Sequence, residues 1–230
     1  QLVIQRRQHI PGIKTRLIVW LAPPIIRLID RLVDVIDGLQ RDRGNLHNKT
    51  ILVTGGAGYI GSFLSRALVE CGYKVVIYDS LINGYREFVP DKAIFIKGDL
   101  ADTDLLDKIF KEYRIDAVIH LAAFIEARDS KRRPAAYFYN NIINNFNLLK
   151  VMAANGVRKI VFSSSASVYA ESKSLVPLKE QDPTSPVSPY GQSKLFVEYI
   201  LKEFDKTSRI KSVSLRYFNA AGADREAQIG

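Results

Sequence analysis

The hydrophobic residues from position 49 onward follow two alternating patterns. Short apolar runs rich in β-branched residues predict strands at 50–54, 74–78, 93–97, 116–121, 159–163 and 211–217. Between them, apolar residues recur at helical spacing and predict helices at 60–70, 104–113, 135–155 and 189–204. Buried strands that alternate with helices form parallel sheets covered on both faces. The pattern therefore predicts an α/β fold with a doubly wound parallel sheet.

Residues 1–48 follow a different pattern and predict a separate N-terminal extension. The apolar stretch at 17–26 is interrupted by Pro23 and Pro24, whereas a membrane-spanning helix needs about 20 uninterrupted apolar residues. From about 24 to 40, apolar residues return at helical spacing, which predicts an amphipathic helix. Packing on the domain or on a partner explains such a helix. Contact with a membrane surface is less favoured, because the polar face carries aspartates as well as arginines.

The remaining residues, 49–230, are predicted to form one domain, and its first loop carries a glycine motif. Gly55, Gly58 and Gly61 stand three apart, between the first predicted strand and the first predicted helix. Glycines there let the chain turn sharply, approach a pyrophosphate and pack the helix closely on the strand. The N-terminus of the helix offers N–H groups and a positive dipole end to the phosphates. The motif thus indicates a Rossmann-type dinucleotide-binding domain.

Two acidic residues follow the second and third predicted strands. Asp79 lies about 20 residues after the glycines, where a carboxylate accepts hydrogen bonds from the adenosine ribose. Because this carboxylate would repel a 2′-phosphate, we expect NAD rather than NADP. Asp99 is predicted to border the adenine and to accept from its amine. The alternatives are an ordinary turn residue for Asp79 and a helix-capping residue for Asp99.

Tyr190 and Lys194 stand four apart at the start of the last predicted helix, so they share one face of it. An ammonium beside a phenol favours the phenolate and is expected to lower the pKa of Tyr190, which makes the tyrosine usable as a base. Tyr169 and Lys173 have the same spacing. They lie in a stretch rich in serine, proline and charge without a helical pattern. The helical context favours Tyr190 and Lys194.

A run of three serines, residues 163–165, follows the fifth predicted strand. Ligands of such sheets bind at the carboxyl ends of the strands, where a serine hydroxyl can bridge a base and the reacting oxygen of a substrate. The alternative is a polar turn without a function. The tyrosine and lysine on the following helix favour the functional interpretation.

The composition restricts the other classes of function. The net charge is +9, but more than half of this excess lies in the first 50 residues, and no aromatic residues are interleaved with a basic patch. Nucleic acid binding is therefore not expected. The chain has one cysteine, Cys71, and three scattered histidines, so neither a disulfide framework nor a metal site is predicted. A reducing, cytoplasmic location fits this composition best.

These motifs resemble the extended short-chain dehydrogenase/reductase superfamily, and most closely its UDP-glucose 4-epimerase branch. The matching stretches include VTGGAGYIGS at 53–62, SPYGQSK at 188–194 and LRYFNAAG at 215–222. The resemblance implies a catalytic triad of Ser165, Tyr190 and Lys194, with the third serine of the run as the catalytic one. It implies that Ser165, Tyr190 and Asn219 contact a UDP-sugar. It also implies NAD contacts from Gly55, Gly58, Tyr59, Ile60, Gly61, Asp79, Asn83, Asp99, Leu100, Leu121, Ala122, Asn140, Ser163, Tyr190, Lys194 and Tyr217.

The function implied by the resemblance is epimerisation at C4 of a UDP-hexose, which interconverts UDP-glucose and UDP-galactose. Another NAD-dependent sugar-nucleotide epimerase, a dehydratase or a decarboxylase stays open. So does a non-catalytic NAD-binding fragment, because family members carry a further domain for the nucleotide that we expect to be missing from this chain. A homodimer through the predicted helices at 135–155 and 189–204 is also implied. The candidate contacts are Ile142, Phe146, Leu149, Phe196 and Ile200, although some of them must face the sheet instead.

The chain departs from the family pattern at two places within the matching region. Ile125 stands where many members carry a lysine, which puts a cofactor contact there in doubt. Asn144 and Asn145 stand where a glycine is usual.

Overall fold

The computed structural model describes residues 16–18, 49–170 and 177–221, which form a parallel sheet with helices on both faces. Six strands of the domain follow the order β4-β3-β2-β5-β6-β7, and β1 extends the sheet beside β7. In chain order the strands are β1 (Arg16–Ile18), β2 (Thr50–Thr54), β3 (Lys74–Asp79), β4 (Ile94–Lys97), β5 (Ala117–His120), β6 (Lys159–Ser165) and β7 (Lys211–Tyr217). The doubly wound parallel sheet predicted from the sequence is confirmed.

The helices divide between the two faces of the sheet. They are α1 (Tyr59–Glu70), α2 (Thr103–Tyr113), α3 (Ala127–Ser130), α4 (Pro134–Phe138), α5 (Asn144–Ala154) and α6 (Pro189–Ser208). On one face, α1 packs through Phe63, Leu64 and Leu68 onto residues of β2 and β3. On the other face, α2, α5 and α6 cover Leu52, Val118 and Phe162. Because both faces are covered, the strands can be apolar on both sides.

The predicted helix at 135–155 is interrupted. A π-helical segment, Tyr139–Ile143, joins α4 to α5, so the backbone hydrogen bonds widen for one turn between two α-helical parts. Single π turns of this kind occur frequently at functional sites. Here the segment places Asn141 inside the protein.

The order of the strands produces a crevice. Strand β3 pairs with one edge of β2, and β5 pairs with the opposite edge of β2. The helices that follow β2 and β5 therefore cover opposite faces of the sheet, and a crevice opens between them at its carboxyl edge, where ligands of doubly wound sheets bind. The functional residues predicted from the sequence follow this same edge.

The N-terminal extension is described only at 16–18. These three residues pair in parallel with 215–217 of β7, an edge strand that the sequence did not predict. The amphipathic helix predicted at about 24–40 lies outside the described residues. Within the described ranges, no helix combines the length and apolar character needed to cross a bilayer.

Candidate functional site

The glycine turn lies between β2 and α1 as predicted, with its backbone pressed against the loop after β5. Gly55 has a φ of +73°, and a Cβ atom there would lie 2.5 Å from the backbone nitrogen of Ala122. A Cβ on Gly61 would collide with the carbonyl oxygen of Gly55. Both positions therefore require glycine, the first for its conformation and both for close approach.

The first turn of α1 is left open to an anion. The helix begins after Gly58 without a side-chain cap, and its first turn contains no acidic residue. Since the first N–H groups of a helix have no partner within it, this end can receive a phosphate. The turn therefore fits the pyrophosphate of a dinucleotide.

Asp79 ends β3 beside the glycine turn and is almost fully buried. One carboxylate oxygen, Oδ2, accepts from the backbone N–H of Ala57 at 3.0 Å, and Oδ1 accepts from that of Leu81 at 2.8 Å. Asp79 thus stabilises the turn after β3, as the alternative interpretation predicted. It also presents a fixed carboxylate next to the N-terminus of α1. Its position is consistent with the predicted ribose contact.

Asp99 follows β4 at the same edge of the sheet. Its Oδ1 accepts from the backbone N–H of Ala101 at 2.8 Å, while its carbonyl oxygen accepts from the Tyr78 hydroxyl at 2.7 Å. The N-cap of α2 is a different residue, Asp102, which accepts from the backbone of Leu105. The capping alternative for Asp99 is therefore wrong. Leu100, the next residue, is buried.

The N-terminus of α6 brings Tyr190 to the end of β6. Ser188 caps the helix, with its Oγ accepting from the backbone N–H of Gly191 at 3.1 Å, and Pro189 occupies the first turn. The Ser165 hydroxyl interacts with the Tyr190 phenol and lowers the pKa of that phenol. The Ser165 Oγ also accepts from the backbone N–H of Ser167 at 3.1 Å, which fixes the hydroxyl. The predicted serine–tyrosine pair is thus assembled.

Lys194 lies one turn further along α6, as the spacing predicted. Its Nζ donates to the carbonyl oxygen of Ser163 at 2.8 Å and stands 5.9 Å from the centre of the Tyr190 ring. The ammonium also lies 5.0 Å from the centre of the Phe162 ring. Ser163, Ser165, Tyr190 and Lys194 therefore form one cluster at the carboxyl end of β6.

The electrostatics of this cluster differ from the expectation. Burial raises the pKa of Tyr190 above its ordinary value, the hydrogen bond from Ser165 lowers it, and Glu126 raises it further. Burial also lowers the pKa of Lys194 to about 7. The expected lowering of the Tyr190 pKa is wrong for the protein without a ligand, because burial of the phenol outweighs the interactions that favour the phenolate.

His120, at the end of β5, is a buried neighbour of this cluster. Its Nδ1 lies 2.6 Å from the Thr54 hydroxyl, and its ring stacks on Phe162. Burial, and then the charge of Lys194, lower the pKa of His120 to about 3. The histidine is therefore neutral at physiological pH and is no candidate for a proton donor there.

Asn141, in the π-helical segment, ties the site together and was not among the predicted site residues. Its Oδ1 accepts from the backbone N–H of Phe124, and its Nδ2 donates to the Phe124 carbonyl and to the Ser193 hydroxyl. Ser193 in turn donates to the carbonyl oxygen of Tyr190 at 2.7 Å. Asn141 thereby joins the loop after β5 to the helix that carries Tyr190.

A buried ion pair lies behind the cluster. Arg216 in β7 binds Glu198 in α6 through Nε at 3.0 Å and Nη2 at 2.7 Å, and the Ser164 hydroxyl donates to the same carboxylate at 2.5 Å. Arg216 Nη1 donates to the Tyr169 hydroxyl at 2.7 Å. Burial acts to lower the pKa of Arg216, but the hydrogen bonds to Glu198 and Tyr169 and the charge of Glu198 together raise it above its ordinary value.

This network decides between the two tyrosines. The Tyr169 hydroxyl is bound to Arg216, and Lys173 lies outside the described residues. Tyr190, by contrast, contacts Ser165 and lies beside Lys194. The sequence signal for this network is Arg216, a charged residue inside a predicted strand. A charge that is buried there has to be paired.

The remaining predicted contacts lie at the edge of the site. Leu121 and Ala122 are half-buried and donate from their backbone nitrogens to Thr54. Tyr59, Asn83 and Asn219 are exposed, and Ile60 and Asn140 are half-buried. Tyr217 is packed in the core with a hydroxyl that lacks a hydrogen-bond partner among the described residues. Phe218, which follows it, is exposed at the carboxyl end of β7 and was not predicted.

An open cavity of about 400 Å³ adjoins the cluster. Its lining residues come from α3, from the turn after β6 and from the approach to α6, and they include Ala127, Arg128, Ala166, Ser167 and Val187. No group of three or more potential metal ligands is found in the part of the chain that the structure describes. The cavity has space for an organic ligand, and none of Ser165, Tyr190 and Lys194 is among the residues that line it.

Curated proteins with similar sequences are UDP-glucose 4-epimerases. The protein from Lacticaseibacillus casei is 45% identical over 181 residues, which cover 79% of this chain and 54% of that relative. The protein from Azospirillum brasilense is 43% identical over 78% of this chain and 51% of that relative. The chain thus spans about half the length of the curated relatives it matches.

Solved structures give the same result. The UDP-glucose 4-epimerase of Brucella ovis in complex with NAD matches with a TM-score of 0.76 and 36% identity, over 79% of this chain and 55% of that chain. The enzyme of Thermotoga maritima with UDP-glucose matches with a TM-score of 0.73 and 36% identity, over 79% and 60% of the two chains. The family model that matches residues 51–229 is that of the NAD dependent epimerase/dehydratase family. The chain belongs to this family.

Proposed function

We propose that this chain is the NAD-binding and proton-transferring part of an enzyme that epimerises a UDP-hexose at C4. The observation that carries the proposal is the cluster of Ser165, Tyr190 and Lys194 at the carboxyl end of β6. The cluster lies at the same edge of the sheet as the glycine turn. A dinucleotide whose pyrophosphate binds at α1 would extend along this edge toward Tyr190.

The residues of the chain fit NAD. The glycine turn leaves room for the backbone to approach a pyrophosphate, and the first turn of α1 is open to an anion. Asp79 and Asp99 provide carboxylates for the ribose and the adenine. When bound, NAD would take up the hydride from C4 of the sugar and return it to the other face of the transient 4-keto sugar.

The chain's own residues handle the proton. Tyr190 would take the proton of the sugar 4-hydroxyl, and the fixed Ser165 hydroxyl would hold the reacting oxygen against it. Because burial raises the pKa of Tyr190 in the protein alone, the phenolate has to be favoured by charges that arrive with the ligands. Lys194 would bind the nicotinamide ribose and regain its proton there, since hydroxyl acceptors favour the charged form.

Product analysis tests this function. The protein, extended by the further domain that the resemblance implies, is incubated with NAD and UDP-galactose, and UDP-glucose is expected as the product without net reduction of NAD. UDP-N-acetylglucosamine serves as the second substrate, because another sugar-nucleotide epimerase stays open. A dehydrated or decarboxylated product would contradict epimerisation. The resemblance implies that a dehydratase would carry an Asp-Glu acid/base pair after this strand. This chain has Ala166 and Ser167 there, which argues against a dehydratase.

We expect NAD to bind at least tenfold more tightly than NADP, because the Asp79 carboxylate would face the 2′-phosphate in a buried position. Calorimetric titration of the chain with both dinucleotides measures the two affinities. Asp79→Asn is expected to reduce the preference, since it removes the charge but keeps the side-chain oxygen. Tighter binding of NADP by the unaltered chain would contradict the role of Asp79.

We expect the 230-residue chain to bind NAD without turning over UDP-galactose at a useful rate. Positioning of the reacting atoms can contribute about 7–11 kcal/mol to barrier lowering, and part of it comes from holding the remote nucleotide. The resemblance implies sugar contacts from Ser165, Tyr190 and Asn219, but it assigns the grip on the nucleotide to the further domain. NAD binding is followed by calorimetry and turnover by chromatography of the products. Rapid turnover would show that the chain grips the nucleotide without further residues.

A homodimer is part of the proposal. Five large apolar residues on the outer faces of the π-helical segment, α5 and α6 are exposed, namely Tyr139, Ile143, Phe146, Phe196 and Tyr199. Leu149 faces the sheet and is fully buried, so its suggested role in an interface is wrong. Light scattering at micromolar concentration is expected to show a dimer, and Phe196→Glu should yield a monomer. A monomeric unaltered chain would contradict the proposal.

A further inference from the structure

Asn144, the first residue of α5, is bound to the carboxylate of Asp99. Its side chain is 3% exposed, and its Nδ2 donates to Asp99 Oδ1 at 3.2 Å. The backbone N–H of Ala101 donates to the same oxygen. Within the described chain, no hydrogen bond ends on the other carboxylate oxygen, Oδ2. The two donors therefore hold the carboxylate in one orientation and leave Oδ2 as the oxygen that can accept from a ligand.

The backbone around Asp99 is fixed as well. The Gly98 nitrogen donates to the Asp79 carbonyl at 3.1 Å, and the Tyr78 hydroxyl donates to the Asp99 carbonyl. Asp99 therefore stands at a set distance from Asp79 along the carboxyl edge of the sheet. The backbone of Asp99 is therefore fixed, and its carboxyl group could still rotate about the bond to Cβ. The hydrogen bond from Asn144 to Oδ1 restricts this rotation.

The amide of Asn144 leaves a polar atom unpaired. Its Oδ1 is buried and has no hydrogen-bond partner in the part of the chain described. A buried amide oxygen without a partner destabilises the fold, whereas an apolar side chain would avoid that cost. The orientation of the amide is nonetheless determined, because the opposite orientation would place its oxygen against the Asp99 carboxylate. Compared with an apolar side chain, the asparagine at position 144 therefore adds one feature, the hydrogen bond to Asp99.

We propose that Asn144 is a positioning residue for adenine specificity. It acts through Asp99, by directing Oδ2 toward the exocyclic amine of the base, and the inference rests on the proposed binding of NAD. An amine donates to a carboxylate oxygen. The oxo group of hypoxanthine is an acceptor, so that base would meet repulsion and an unpaired oxygen at the same place. The protein should therefore distinguish NAD from nicotinamide hypoxanthine dinucleotide, and Asn144 should contribute to the distinction.

The test measures the ratio of two affinities. The 230-residue chain and its Asn144→Ala variant are titrated calorimetrically with NAD and with nicotinamide hypoxanthine dinucleotide. The unaltered chain is expected to prefer NAD, and Asn144→Ala to reduce the preference on the order of fivefold. Asn144→Ser, whose hydroxyl can still donate toward Asp99, should retain part of it. A ratio that is the same in all three proteins would overturn the proposal.

Asn145→Ala is the matched control. Asn145 is equally buried, and its Oδ1 is also unpartnered, but no contact with Asp99 is found among the described residues. Its replacement removes the same chemical group from the next position, so the melting temperature shifts while the affinity ratio stays within about twofold. An equal loss of preference in both variants would show a general loosening of α5 and would contradict a specific role for Asn144.

Asp99→Asn separates this proposal from the proposed function. Its amide can present either a donor or an acceptor, so the variant is expected to lose most of the preference for NAD. If neither dinucleotide binds to the unaltered chain, the proposed NAD site fails, and the role of Asn144 fails with it. If NAD binds and Asp99→Asn alone changes the ratio, the adenine contact holds and the role of Asn144 is refuted.

Discussion

Replacing Tyr190 by phenylalanine in the protein extended by the further domain is expected to lower turnover at least a hundredfold, the low end of the contribution of a general acid–base group. The phenol interacts with Ser165 and lies beside Lys194, so its hydroxyl is the group that can exchange a proton with the substrate. The ring itself stays in place in the variant. NAD should therefore still bind, which calorimetry can measure on the same protein before turnover of UDP-galactose is assayed.

Two other tyrosines serve as controls for this experiment. Tyr199→Phe removes a hydroxyl from an exposed position on the same helix and is expected to leave turnover within about twofold. Tyr169→Phe removes the hydroxyl that Arg216 binds and is expected to reduce stability more than turnover. A greater loss of turnover in Tyr169→Phe than in Tyr190→Phe would show that the wrong tyrosine has been assigned.

Glu198→Ala is expected to destabilise the protein by about 3–5 kcal/mol, because it leaves the buried guanidinium of Arg216 without its partner. Arg216 and Glu198 are 6% and 5% exposed, so water cannot replace the lost contacts without opening the core. The Ser164 hydroxyl loses its acceptor at the same time. Denaturant unfolding of the two proteins without ligands measures the difference in free energy.

The matched control for Glu198→Ala lies on the same helix. Glu203 forms an ion pair with Lys206 in which both side chains are mostly exposed. Glu203→Ala removes a carboxylate of the same type, yet it should change the free energy of unfolding far less, since exposed pairs contribute little. Similar losses in the two variants would mean that the buried network does not carry the stability assigned to it.

The sequence predicted the parts of the site that depend on local spacing. Gly55 and Gly61 follow a strand and open a helix, so their role could be inferred from neighbouring residues alone. Tyr190 and Lys194 share a helix face because they stand four apart. Asp79 could be placed because it directly follows the apolar run of the second predicted strand. In each case the relevant geometry is fixed within one or two adjacent elements.

The sequence did not predict the parts that depend on how elements pack. Glu198 reads as one of many charges on a helix, and only the packing of α6 against β7 brings it to Arg216. The direction of the pKa change of Tyr190 depends on how deeply the phenol is buried, which spacing does not encode. The contact between Asn141 and Ser193 joins residues 52 positions apart. These features require the tertiary structure.

The π-helical segment makes this part of the chain intolerant of a change in length. One wide turn accommodates one residue more than a continuous α-helix would hold over the same rise. Deleting a residue between Tyr139 and Ile143 would therefore leave a continuous α-helix, in which α4 and α5 keep their relative orientation but the wide turn is lost. Asn141, which the wide turn carries into the protein, would leave Phe124 and Ser193, while the core residues of α5 stay on the sheet. Substitutions here change single contacts, whereas a one-residue deletion would disconnect the loop after β5 from the helix of Tyr190.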